Sequence, residues 1–154
     1  MVTLFALLGV NIVVMASTVM KTFVTIGSVA SIGFGIWHFF VPRAWNWYSH
    51  MNPAATELVL AVRAINVFFS LCLVLFGLMN IALAFGKEAG RCSMLVVLGA
   101  TVILWATRVV LQIVYPQGSA SAALQYGMLA AFIVVLACHL VPLIAEARAY
   151  LLSH

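Results

Sequence analysis

TELVLAVRAINVFFSLCLVLFGLMNIALAF, residues 56–85, contains only two charged side chains, Glu57 and Arg63. A helix that crosses a bilayer needs about 20 mainly apolar residues. This stretch exceeds that length, and a soluble domain has no way to hide so continuous an apolar run. Its boundaries are sharp. Before it lies a polar, aromatic loop with Pro42, Arg43, Asn46, His50 and the Asn52-Pro53 pair. After it comes Gly86-Lys87-Glu88-Ala89-Gly90-Arg91, a turn signal.

The same reading extends in both directions. Residues 92–115 form a further apolar segment, stopped by Pro116-Gln117-Gly118, and residues 121–145 form the last. Upstream, residues 22–41 and 2–20 are apolar and are separated by Lys21 and its polar neighbours Ser17, Thr18 and Thr22. We expect a tight hairpin at Lys21. The alternative is one helix of about 40 residues, near 60 Å long and twice the apolar thickness of a bilayer. The expected fold is therefore all-α, a transmembrane helix bundle of four to five spans forming a single integral membrane domain over residues 1–154.

Composition agrees. The 154 residues are 66% hydrophobic and 6% charged, against about 25% charged in a soluble domain. The net charge of +4 comes from scattered basic residues rather than a basic run, so nucleic acid is not an expected partner. Cys72, Cys92 and Cys138 form no CxxC pair and read as small apolar residues inside helices. No Lys or Arg precedes residues 2–20, so these read as part of the mature protein rather than a secretion signal. Alternating spans put Lys21, Lys87, Arg91 and Arg148 on one side and Arg43 on the other. By the positive-inside rule the first side and the C-terminus are cytoplasmic, and the expected location is a bacterial inner membrane. Trp37, Trp45, Trp47, Tyr48, Tyr115 and Tyr126 mark the opposite, outer interface.

Polar residues are costly inside a span, so their spacing is informative. Ser28, Ser31, Gly35 and His38 recur at intervals of three and four. So do Arg63, Asn66, Ser70, Gly77 and Asn80, and Thr101, Trp105, Arg108, Gln112 and Tyr115; Gln125, His139 and Glu146 share one heptad position. Each set occupies one helical face, which is expected to turn inward. Two rows of small residues, Gly27-Ser31-Gly35 and Ala123-Gly127-Ala131, favour close helix approach.

Arg63 and Arg108 each lie seven residues, roughly 10 Å, from the outer end of their segments. His38, Asn66 and Gln112 fall near the same level, and Trp105 is one turn from Arg108. Two guanidiniums at one depth suit a phosphate, a carboxylate or a quinone oxygen, with Trp105 stacking on a ring. The other reading is that both arginines snorkel to headgroups or tie helix ends. His38 and His139 differ in depth by about 27 Å, which excludes a shared haem. No metal set, phosphate loop or catalytic constellation is apparent.

The segment Gly35-Ile36-Trp37-His38-Phe39-Phe40-Val41-Pro42, with its aromatic follow-on and Met51, resembles the end of the first helix in DoxX-like membrane proteins. There a G-x-x-H-F-x-x-P pattern closes a helix of a four-helix bundle. The likeness covers about a fifth of the chain. It implies a small membrane subunit, in some members linked to quinone-dependent sulfur oxidation, and it transfers only His38 and Pro42, without a catalytic role. An extra apolar segment in front, and Arg63 where an acidic residue is expected, depart from the pattern.

Three functions follow as expectations. The first is a non-catalytic membrane subunit packing in a larger complex or homo-oligomer. The second is a quinone- or anionic-lipid-binding protein or redox subunit, its site drawn from His38, Arg63, Asn66, Trp105, Arg108 and Gln112. The third is a small-solute channel or carrier.

Overall fold

Most positions of the polar faces read from the sequence turn inward and hold four long helices together; Arg63 and Tyr115, expected inward, are exposed, because both lie near a helix end where a long side chain reaches the interface. The computed structural model describes residues 2–86, 89–118 and 121–152, and for residues 2–16 the backbone alone. Helix α1 spans Val2–Ala44, a 3-10 turn Trp47–His50 follows, and α2 spans Thr56–Phe85. Helix α3 spans Arg91–Val114 and α4 spans Ala122–Leu151. Four segments among the described residues are long and apolar enough to cross a membrane, beginning with Ser17–Ala44. The protein is an all-α integral membrane bundle.

The hairpin expected at Lys21 is absent. α1 continues through it as one helix. No glycine or proline lies between residues 16 and 26 to break it. The neighbouring hydroxyls serve the helix instead of a turn: Thr22 Oγ1 donates to the Thr18 carbonyl at 3.0 Å, and Thr25 Oγ1 to the Lys21 carbonyl at 2.8 Å. Lys21 extends its ammonium over the Phe85 ring, 5.6 Å from the centroid. At the other end, Asn46 takes a left-handed conformation (φ 52°) and starts the 3-10 turn. The last helix runs six residues beyond the expected end at residue 145. It carries Pro142, which removes the hydrogen bond to the carbonyl four residues earlier.

The six described basic residues divide between the ends of the bundle, with Lys21, Arg91 and Arg148 at one and Arg43, Arg63 and Arg108 toward the other. Arg91 Nε lies 3.4 Å from Glu146 Oε2, and Arg91 also donates to the Ala149 carbonyl at 3.3 Å. Lys21 and Arg148 lie toward the same end. Lys87, expected with them, falls outside the described residues.

The helices meet through small residues. A Cβ built on Gly35 would lie 2.8 Å from the Ser70 carbonyl oxygen, and one on Gly77 would lie 2.8 Å from that of Ser28. These two close approaches set an antiparallel register of α1 against α2. A Cβ on Gly27 would lie 2.6 Å from His139 Cε1, which brings α4 against the same helix. The second small row differs, since a Cβ on Gly127 would meet nothing within 4 Å.

A polar layer crosses the middle of the bundle. Ser28, Asn80, Thr101 and His139, one from each helix, are all buried. Asn80 Nδ2 donates to Thr101 Oγ1 at 2.7 Å and to the Phe76 carbonyl at 2.9 Å, while Thr101 Oγ1 donates to Val97 O at 2.7 Å. One turn along, Trp105 Nε1 donates to Ser31 Oγ at 2.9 Å, and that hydroxyl donates to Gly27 O. Interhelical bonds within a bilayer average about 0.6 kcal/mol and reach about 1.7. Asn80→Leu is therefore expected to lower stability by about 1 kcal/mol. A denaturation titration in mixed micelles would measure it, and an unchanged midpoint would mean the layer does not tie α2 to α3.

Candidate functional site

A cleft of about 250 Å³ opens at the end of the bundle that carries the 3-10 turn. That volume is near the lower end of small-molecule sites, which start at roughly 300 Å³. All four helices contribute: Phe34 and His38 from α1, Phe69 and Leu73 from α2, Trp105 and Arg108 from α3, Met128 and Phe132 from α4. The wall is mostly rings and aliphatic chains, with His38, Arg108 and Gln117 as its polar groups.

The rings form a connected set. Phe34 lies edge-on to Trp105 (centroids 5.6 Å) and to Phe132 (5.4 Å), and Trp105 lies 5.7 Å from Phe132. His38 packs edge-on against Phe69 at 4.8 Å and Trp47 at 6.3 Å. Such contacts are each worth about 0.5–1.5 kcal/mol beyond area burial, and they fix the shape of the wall. Trp105 is pinned further by its bond to Ser31.

Arg108 supplies the charge. Its guanidinium carbon sits 4.3 Å from the Phe132 centroid, and Nη2 donates to Gln117 Oε1 at 2.7 Å. The turn with Gly118 at φ 75° presents Gln117, whose carbonyl also accepts from Gln112 Nε2 at 2.9 Å. Gln112 thus holds the turn that holds Arg108. A guanidinium has five N–H donors, and among the described residues one glutamine oxygen accepts from it. Among the described residues, the only ion pair is Arg91–Glu146 at the opposite end.

The structure sorts the six residues expected at a site. His38, Trp105 and Arg108 line the cleft together. Asn66 and Gln112 stand behind it: Asn66 Nδ2 donates to the His38 carbonyl at 3.2 Å, joining α2 to α1. Arg63 is elsewhere. It is exposed, with its guanidinium carbon 5.3 Å from the Tyr48 centroid. Arg63, expected from equal depth to face one ligand with Arg108, does not line the cleft beside it and instead lies against an aromatic face of the 3-10 turn. Gln117, Phe34, Phe69 and Phe132 belong to the site and were not among the expected residues. The interruption Pro116-Gln117-Gly118 carried a signal for Gln117, an amide in a turn one helical stretch from Arg108. The phenylalanines carried none, since lipid-facing and cleft-facing rings look alike in sequence. His139 is buried in the central layer, away from His38, as depth required. No cluster of three or more metal-ligating side chains occurs among the described residues.

Compared with known protein families, with curated proteins and with solved structures, the chain matches none.

Proposed function

We propose that this protein binds a membrane-borne amphiphile whose headgroup carries an anionic or carbonyl oxygen, a quinone or an anionic lipid in chemical terms. One observation carries the reading: a half-buried guanidinium without a carboxylate partner among the described residues, set in the wall of a mostly apolar cleft. A charge within a span is costly, and an arginine kept there is most useful where an oxygen-bearing ligand completes its hydrogen bonds. Arg108 and Gln117 take the headgroup, and the rings of Phe34, Trp105 and Phe132 flank a planar or apolar body. By the positive-inside rule the cleft faces the outer leaflet, opposite the end with Lys21, Arg91 and Arg148.

Native mass spectrometry of the protein drawn gently from its own membrane tests this. The expected result is one bound small mass per chain, retained by Arg63→Leu and lost from Arg108→Leu. Equal retention by both variants would remove the cleft from consideration. A second reading, a non-catalytic subunit of a larger membrane complex, is favoured by the Ala123-Gly127-Ala131 row, where Gly127 is exposed and a Cβ there would meet nothing. The same spectra distinguish it, because a subunit would travel with partner chains in fixed ratio. The resemblance to DoxX-like proteins is compatible with either reading.

A further inference from the structure

The cleft does not end at its aromatic wall. Beside it runs a shallow, open groove along α1, lined by Ala30, Gly33, Phe34 and Trp37. Phe34 and Trp37 line both spaces, so cleft and groove adjoin across those two rings. The four groove residues fall at intervals that place them on one stripe of α1, about 10 Å long. Gly33 makes the floor: it is exposed, and a Cβ added to it would meet nothing within 4 Å. The stripe runs from the cleft toward the middle of the bilayer, the direction in which a membrane amphiphile lays its chain.

We infer that the ligand has a long apolar chain, and that this chain leaves the cleft sideways past Phe34 and Trp37 and lies in the Gly33 groove. The inference rests on the headgroup reading above and adds to it the ligand's second half and its route of entry. A ligand bound this way never leaves the bilayer. It slides in from the side, headgroup toward Arg108, and its chain lies against α1 while its other sides stay in contact with lipid. Burial from water contributes nothing to holding a chain that is already in lipid. What the groove offers is van der Waals contact along one helix face and a fixed direction. Its contribution is correspondingly moderate, about fivefold in affinity, the worth of a handful of such contacts.

The test uses two benzoquinone probes with identical rings, one bearing a ten-carbon chain and one bearing a methyl group in its place. Binding to the full chain in lipid nanodiscs is followed by quenching of tryptophan fluorescence. Lysophosphatidate with an eighteen-carbon chain, against glycerol phosphate, forms a parallel pair read by native mass spectrometry. The two pairs separate a quinone source of the chain from a lipid source. Gly33→Trp fills the groove, and Gly99→Trp, outside both cleft and groove, is the control. A side chain added at either position enters open space, and thermal midpoints no lower than that of the wild type would confirm that the fold persists. Comparing each probe between variants in the same nanodisc cancels its partitioning into lipid.

For whichever pair the wild type binds, Gly33→Trp is expected to weaken the chained probe about fivefold and leave the chainless one unchanged. Gly99→Trp should change neither. Equal effects of Gly33→Trp on chained and chainless probes, or no effect on either, would overturn the groove while leaving the headgroup site standing. Failure of both pairs to bind wild type, or binding unaffected by Arg108→Leu, would overturn the headgroup reading and the groove with it.

Discussion

Arg108→Leu is expected to weaken retention of the bound amphiphile by about 10- to 100-fold while the bundle stays folded. Hydrogen bonds to charged groups contribute about 1.5–3 kcal/mol, and each 1.4 kcal/mol is tenfold in affinity. Arg108 is only half-buried, so the lower part of that range applies. The structural cost is small by comparison. The substitution removes one bond to Gln117 Oε1, whereas Gln112 continues to hold the Gln117 carbonyl and keep the turn in place. Leucine also fits the apolar wall beside Phe132. Arg108→Lys provides the second half of the experiment. It keeps a charge but not the planar fork, and a lysine cannot make the paired bonds that a guanidinium makes to a carboxylate, phosphate or quinone oxygen. Retention by Arg108→Lys should fall between wild type and Arg108→Leu. Full retention by Arg108→Leu, measured in nanodiscs by the bound mass per chain, would overturn the headgroup reading and remove the cleft from consideration.

The contrast between Arg108 and Arg63 shows what the sequence could and could not supply. Helical periodicity placed Ser28, Ser31, Asn66, Ser70, Asn80, Thr101, Trp105, Gln112 and His139 on inward faces, and all of them are buried. That inference works because lipid penalises a polar group wherever it faces outward, so the pattern is enforced along the whole span. The rule weakens near the interface, where a long side chain reaches water or an aromatic ring from either face. Arg63 shares a heptad position with Ser70, yet the ring of Tyr48 holds it at the surface. Tyr48 belongs to a 3-10 turn whose left-handed entry at Asn46 no periodicity encodes. Lys21 misled in the other direction. A charge among small polar residues resembles a turn, but a lysine beside a helix end can lay its stem along a neighbouring ring, and Phe85 serves that purpose. The cleft wall was illegible for a different reason. Phe34, Phe69 and Phe132 line a cavity, whereas Phe68 and Phe40 face outward, and an apolar solvent removes the contrast that would tell them apart.

Gly35→Ala and Gly77→Ala are expected to be the most damaging single-methyl changes in the chain. At Gly35 the new carbon would stand 2.8 Å from the Ser70 carbonyl oxygen and 2.8 Å from Val74 Cγ2; at Gly77, 2.8 Å from the Ser28 carbonyl oxygen and 2.6 Å from Ile32 Cγ1. A side chain can rotate away, but a backbone oxygen within a helix cannot, so relief requires α1 and α2 to separate. Overpacking of this kind costs about 1–3 kcal/mol. Separation would also stretch Asn66 Nδ2 from the His38 carbonyl, whose 3.2 Å bond joins the same two helices. The two glycines act on one interface, which makes the double variant the sharper measurement. Once the first methyl has pushed the helices apart, the second enters space already opened, and the combined loss should fall short of the sum of the single losses. Gly33→Ala and Gly99→Ala are the matched controls: a Cβ at either meets nothing within 4 Å, and replacing glycine within a helix gains up to about 1 kcal/mol. Denaturation midpoints of the five variants would decide between this register and another. Equal effects at Gly35 and Gly33 would mean that α1 presents a different face to α2. Strict additivity of Gly35→Ala and Gly77→Ala would mean that the two contacts yield independently, and that the pair bends rather than separates.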